Sequence, residues 1–129
     1  MRVAIATQNL TRIDAHLGAS RHLMSYDASA EGITHLRTAS FRTGLVRDGD
    51  HDKLVLRLKA LKGCSVVFVA DVGLDGERGL VRQRIAPLRQ FAGQPIATAL
   101  EALVDGMRRN SSLWLRRAEQ QERRRSVRG

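Results

Sequence analysis

Val3-Ala4-Ile5-Ala6-Thr7 is apolar almost without interruption, as expected of a strand covered on both faces, and predicts β-structure over 2–7. Residues 21–27 and 33–41 are mixed apolar and polar stretches that predict two half-exposed strands. The Ala28–Gly32 segment between them supplies a turn, so the two strands form a hairpin. Residues 44–51 are polar and rich in Gly and Asp, which predicts a loop. Leu54, Val55, Leu58 and Leu61 then recur at helical spacing, and predict a helix from Asp52 to Lys62 that Gly63 stops.

Cys64 to Ala70 is again continuously apolar, the pattern of a central strand. Asp71 to Gly76 predicts a loop and Glu77–Arg84 a short helix. Ile85 to Phe91 predicts a last strand, which Pro87 confines to an edge or a bulge. Pro95 is placed to open a further helix at its first position. Ile96, Ala99, Leu100, Leu103, Val104 and Met107 form one core-facing stripe along it. Asn110 and Ser111 break this pattern, and Leu113 to Arg125 can form a final basic helix. The order β, β-β hairpin, α, β, α, β, α predicts an α/β fold. It would be a mixed five-stranded sheet with flanking helices and a basic C-terminal helical tail.

Composition refines this picture. The 129 residues are one domain's worth, and with only 4% aromatic residues the core must be aliphatic. No apolar run approaches the roughly 20 residues that cross a bilayer, and the N-terminal segment lacks the pattern of a signal peptide. A single cysteine excludes an intramolecular disulfide and fits a reducing cytoplasm.

The net charge of +9 is unevenly placed. Residues 108–129 hold eight arginines against two glutamates, so the high pI belongs mostly to the tail. The chain divides on this basis into an α/β domain over 1–107 and an Arg-rich tail over 108–129. Such a tail can dock an acidic partner. The alternative is a small nucleic-acid-binding module that uses it, with a steep dependence of affinity on salt.

Candidate chemistry is sparse. The turn after the first strand, Asp14-Ala15-His16-Leu17-Gly18-Ala19-Ser20, combines an imidazole, a glycine and a hydroxyl. His16 could ligate a metal or cluster, donate to an anion, or simply be a surface turn histidine. Cys64 could supply a thiolate to a soft metal centre, or be a small buried hydrophobe. The loop carrying Gly73 and Gly76 follows a parallel strand and leads into a helix, where open α/β sheets bind ligands, although two glycines can equally serve a turn.

Zinc motifs, P-loop and dinucleotide fingerprints and the Gly-x-Ser-x-Gly elbow are all absent. Two-metal nuclease chemistry lacks its converging carboxylates. The chain therefore reads as a binding protein and not as an enzyme.

Taken in order, these features resemble the dinitrogenase iron–molybdenum cofactor biosynthesis family. The features are the opening Val-Ala-Ile-Ala-Thr, Asp14-Ala15-His16-Leu17-Gly18, Cys64 before an apolar strand with Gly73 after it, and Pro95-Ile96 leading into Ala99–Leu103. Leu113–Ala118 resembles the end of the NifX-type members. The family's His-Phe-Gly-type turn falls on His16-Leu17-Gly18, with leucine in the aromatic place, and its cysteine falls on Cys64.

The resemblance implies a ribonuclease H-like topology without nuclease activity. It implies transient binding of an iron–sulfur precursor of the iron–molybdenum cofactor, either the NifB product or a more mature form. The partners it implies are NifB and the NifE–NifN scaffold. The expected cargo site is His16, Gly18, Ser20, Cys64, Gly73 and Gly76, with His16 and Cys64 as metal ligands.

Overall fold

In the computed structural model, residues 1–41 and 50–109 are described. The first strand, β1, spans Arg2–Thr7 and is followed by a single 3₁₀ turn, Leu17–Ala19. Strands β2 (His22–Ser29) and β3 (Gly32–Ser40) come next, then helix α1 (Asp50–Ala60). Strand β4 (Val66–Phe68), helix α2 (Leu74–Gln83), strand β5 (Ala86–Leu88) and helix α3 (Ile96–Arg109) complete the described part. The five strands form one sheet in the order β3-β2-β1-β4-β5. Strand β1 runs antiparallel to β2 and parallel to β4, and β5 is parallel to β4. The mixed sheet matches expectation, and its order is consistent with the ribonuclease H-like arrangement.

The alternation of side chains along β1 explains the layers. Val3 and Ile5 point to one face, where they pack with Val66 and Phe68 against Ile96, Ala99 and Leu103 of α3. Ala4 and Ala6 point to the other, where they join Leu23, Val67 and Val69 beneath α1 and α2. With both faces covered, β1 is apolar from Val3 to Ala6, and the buried Thr7 that ends it accepts from the Leu10 amide at 3.1 Å.

The differences from expectation are local. The hairpin turn is only Ala30-Glu31, closed by Gly32 at φ +144°. The central strand is β1, and β4 lies between it and β5. The last strand is only Ala86–Leu88. It is an edge strand, and there Pro87 is harmless. The bonds that tie β5 to the neighbouring strand run through Ala86 N–H and the Leu88 carbonyl, so the donor that Pro87 lacks would point outward.

Helix α2 begins at Leu74, three residues before the expected Glu77. Its Gly76 and Gly79 lower helix propensity, but packing overrides this. A Cβ on Gly76 would lie 2.6 Å from Val72 Cγ2, and one on Gly79 would collide with Leu58 of α1. Glycine lets α2 seat against α1. Helix α3 begins at Ile96, with Pro95 as the residue before it, whose carbonyl accepts from the Thr98 amide at 3.1 Å. The expected loop over 44–51 lies largely outside the described residues, as does the basic helix over 113–125.

Candidate functional site

Two loops meet at the carboxyl ends of β1 and β4. The chain leaving β1 turns back, and the Ala15 carbonyl accepts from the Ala70 amide at 2.9 Å. The Leu17 amide then donates to the Asp71 carbonyl at 3.0 Å, so His16 bridges to Asp71 as an isolated parallel pair. This ladder locks the His16 turn against the loop that opens α2. The two together wall a cleft of about 470 Å³, lined by His16, Gly18, Leu54, Val72, Gly73 and Asp75 among others.

Glycine keeps the imidazole accessible. A Cβ on Gly18 would come within 3.7 Å of His16 Nδ1, and one on Gly73 within 3.8 Å of Nε2. A methyl at either position would sit in van der Waals contact with the ring. His16 itself caps the 3₁₀ turn, its Nδ1 accepting the Gly18 amide proton at 3.2 Å. Because Nδ1 accepts, the proton of a neutral ring sits on Nε2. In this arrangement the ring offers the cleft an N–H donor. Ligation of a metal by Nε2 would require that proton to leave or the Gly18 bond to break.

The opposite wall is held by Arg89, which follows β5. Its guanidinium bonds to Asp71 at 3.1 Å and to Glu77 at 2.5 Å, joining the loop to the first turn of α2. The Val72 amide and the Arg89 guanidinium hold the Asp71 carboxyl below its ordinary range. Its two carboxylate partners raise the affinity of Arg89 for its proton. Asp75, on the cleft wall, is 4.0 Å from Arg78.

The expected site residues separate into three places. His16, Gly18 and Gly73 line the cleft together. Gly76 also borders it, but the glycine is required by the close approach of Val72. Ser20 is fully buried, and its hydroxyl donates to the Leu17 carbonyl at 2.9 Å, so it holds the turn and does not face the cleft.

Cys64 lies at the other end of the sheet, before β4, and is buried beneath α1 and α2. His16 and Cys64 sit beyond opposite ends of β4 and line different recesses, so the structure does not support them as ligands of one centre. Among the described residues, no three His, Cys, Asp or Glu side chains converge on one point.

Sequence reasoning missed Arg57 and Arg89. Arg57 is 1% exposed on α1, and it donates to the Ser20 carbonyl from Nε (3.0 Å) and Nη2 (2.6 Å). It also donates to the Lys53 carbonyl at 2.9 Å and lies 4.5 Å from the Phe41 ring centroid. Burial pushes its proton affinity down. Its place three residues after Leu54 and four before Leu61, on the buried stripe, was the available signal. Nothing local to Arg89 marks its role, because both carboxylates reach it only through the fold.

The model of the family described as dinitrogenase iron-molybdenum cofactor matches residues 1–106. The chain belongs to this family. Among its relatives, the protein NifX of Herbaspirillum seropedicae is 35% identical over 127 residues, which span 98% of this chain and 87% of that protein. The protein NifX of Azotobacter vinelandii is 32% identical over 95% of this chain and 77% of its own length. The FeMo cofactor biosynthesis protein NifB of the same organism is 29% identical over 78% of this chain, which corresponds to only 21% of NifB. Among solved structures, that of PH0822 superposes with a TM-score of 0.58 at 20% identity, covering 82% of this chain and 92% of the other, a likeness of fold alone. Family membership extends through α3 up to its last turn. Among the described residues, no helix is long and apolar enough to cross a membrane.

Proposed function

We propose that this protein is a non-enzymatic carrier that binds an iron–sulfur precursor of the iron–molybdenum cofactor and passes it on during assembly. Its family and its NifX and NifB relatives support a role in that biosynthesis. The observation that carries the carrier reading is the glycine-flanked His16 ring, facing a cleft of about 470 Å³ at the start of α2.

An iron–sulfur precursor is anionic, and its surface sulfides accept hydrogen bonds. The Nε2–H of His16 and the first amides of α2, which have no partner within the helix, are donors of the kind such a cargo needs. Nearby carboxylates would oppose it, but Asp71 and Glu77 are already engaged by Arg89, and Asp75, on the cleft wall, lies 4.0 Å from Arg78. Holding by donors and dipoles with few covalent ligands suits a protein that must release what it binds. A reducing cytoplasm suits both the cargo and the single cysteine.

The Arg-rich segment 108–129 is the proposed docking element towards an acidic surface on the NifB or NifE–NifN side, since arginine pairs bidentately with carboxylates. A chain ending at Ala118 should bind cargo alone yet transfer it more slowly at low salt, with the defect shrinking as salt rises. Equal transfer rates would remove the docking role.

The central test is anaerobic incubation of the purified chain with the precursor, followed by gel filtration and iron analysis. Iron should co-elute with the wild-type chain, and His16→Ala should lose most of it while remaining folded. Iron that stays with His16→Ala at wild-type stoichiometry overturns the cleft as the cargo site.

A further inference from the structure

At the amino ends of β1 and β4, remote from the His16 cleft, a second recess of about 210 Å³ opens beside the end of α1. Arg2, Arg37 and Lys62 converge on it, with Ser25, Leu36 and Cys64 completing its lining. Sheet geometry brings the cations together. Arg2 shares a face of β1 with Ala4 and Ala6, whose side chains lie on the α1 and α2 side. Ser25 pairs with Ala4 on one side and with Arg37 on the other. The ladder between β2 and β3 slips at this point, so that Leu36 is the extra residue of a bulge. Bulges re-aim side chains, and this one puts both Leu36 and Arg37 at the recess.

Among the described residues the three cations have no counter-ion, since no carboxylate lies within 4.0 Å of Arg2, Arg37 or Lys62. Asp27, opposite Arg2 in the β1–β2 ladder, is engaged by the Met1 ammonium at 3.4 Å. Three full charges outweigh the roughly half negative charge at the C-terminus of α1.

An independent observation points the same way. Ser25 is 5% exposed, and its hydroxyl makes no hydrogen bond among the described residues although it lines the recess. A buried hydroxyl without a partner is costly, and such groups call for a ligand or a water. Gly63, at φ +91°, also leaves room that a side chain would fill, because a Cβ there would lie 3.1 Å from Arg2 Nη1.

We propose that this recess is a binding site for a tetrahedral oxyanion of the phosphate class, free or as a monoester. Arg2, Arg37 and Lys62 neutralise it, and the Ser25 hydroxyl donates to one of its oxygens. The volume of about 210 Å³ equals about seven waters, enough for a phosphate. The site is independent of the cargo cleft.

The test is titration of the full-length chain with inorganic phosphate at constant ionic strength, with chloride as the control, read by calorimetry and by the 31P resonance. The wild-type chain should bind phosphate in the millimolar range or tighter. Arg37→Gln combined with Lys62→Gln should weaken this by about tenfold or more, as expected for loss of charge-assisted bonds. Ser25→Ala should weaken phosphate binding while leaving the melting temperature of the phosphate-free chain unchanged or higher, an outcome a merely structural hydroxyl would not give. Circular dichroism establishes that the variants are folded. Phosphate binding equal in the wild-type chain and the double variant would assign it to the arginines of the tail and overturn the site. Absence of binding to the wild-type chain at millimolar phosphate would overturn it too.

Discussion

At the carboxyl ends of β1 and β4 the recess is walled by glycines and one imidazole, with the side chains of Leu54, Val72 and Asp75 beside them. At their amino ends it is made of long cationic side chains around a buried hydroxyl. In the first, carboxylates are present, with Asp71 and Glu77 held by Arg89 and Asp75 at 4.0 Å from Arg78. In the second, the described residues bring cations together with no carboxylate in reach. A site built from backbone takes its geometry from the fold and can grip a bulky anion weakly at many points. A site built from long side chains pays more conformational entropy on binding and selects mainly by charge. One sheet thus presents a shaped recess at one end and a charged recess at the other.

The sharpest way to break this comparison is to unseat the shaped end. Arg57→Ala removes a buried guanidinium that holds the Ser20 carbonyl just past the His16 turn. It leaves both a cavity and an unpaired carbonyl, and should cost about 2–4 kcal/mol in chemical denaturation. Gly76→Ala should come next. The added methyl meets Val72 at 2.6 Å, and the strain of about 1–3 kcal/mol exceeds the gain of about 1 kcal/mol in helix propensity. Cargo binding at the cleft should fall in this variant, while phosphate binding at the other end stays unchanged. If both fall together, the two ends are not independent.

His16→Ala sharpens the comparison at a lower cost in stability. It loses the side-chain cap of one 3₁₀ turn, about 0.5–1 kcal/mol in thermal unfolding, yet should abolish most cargo retention. His16→Gln should retain part of it if the ring serves as a donor, because an amide N–H can substitute, whereas loss equal to His16→Ala would favour direct ligation.

The smallest expected effect is on pH dependence. The Asp71 carboxyl is held below its ordinary value of 3.8 in the folded chain, so the unfolded chain binds its proton first as pH falls. The stabilisation is therefore complete above the ordinary carboxylate range and is lost as pH drops through the folded value. Arg89→Gln removes one cause of the shift, and melting temperature should then fall less steeply on the acid side. An unchanged slope would show that the Val72 amide alone sustains it.

Much of the fold was legible because period and length agreed. The uninterrupted Val3–Thr7 run, the leucines of α1 and the Ile96–Met107 stripe each admit one reading, and Pro87 correctly marked an edge. The start of α2 was illegible because its glycines deny it propensity, and only contact with Leu58 and Val72 explains them. Within the site, His16 and Gly73 could be paired because both follow parallel strands. Ser20 and Cys64 could not be excluded, since a buried polar residue and a ligand look alike in one dimension. Separating them took the fate of the Ser20 hydroxyl, spent on Leu17 and Arg57, and the location of Cys64.

The borders of the sheet have a consequence for self-association. An exposed strand edge is a template on which a second copy can add its own strand and grow an aggregate. Here β5 offers only three residues, with Pro87 in the middle removing the outward donor. Strand β3 is longer and largely exposed, but its bulge at Leu36 breaks the regular spacing of its unpaired groups, and Arg37 places a charge beside the break. Neither border presents a flat, uninterrupted row of donors and acceptors. Both borders of the described sheet therefore oppose growth of a polymer through the backbone and leave contacts between copies to side chains.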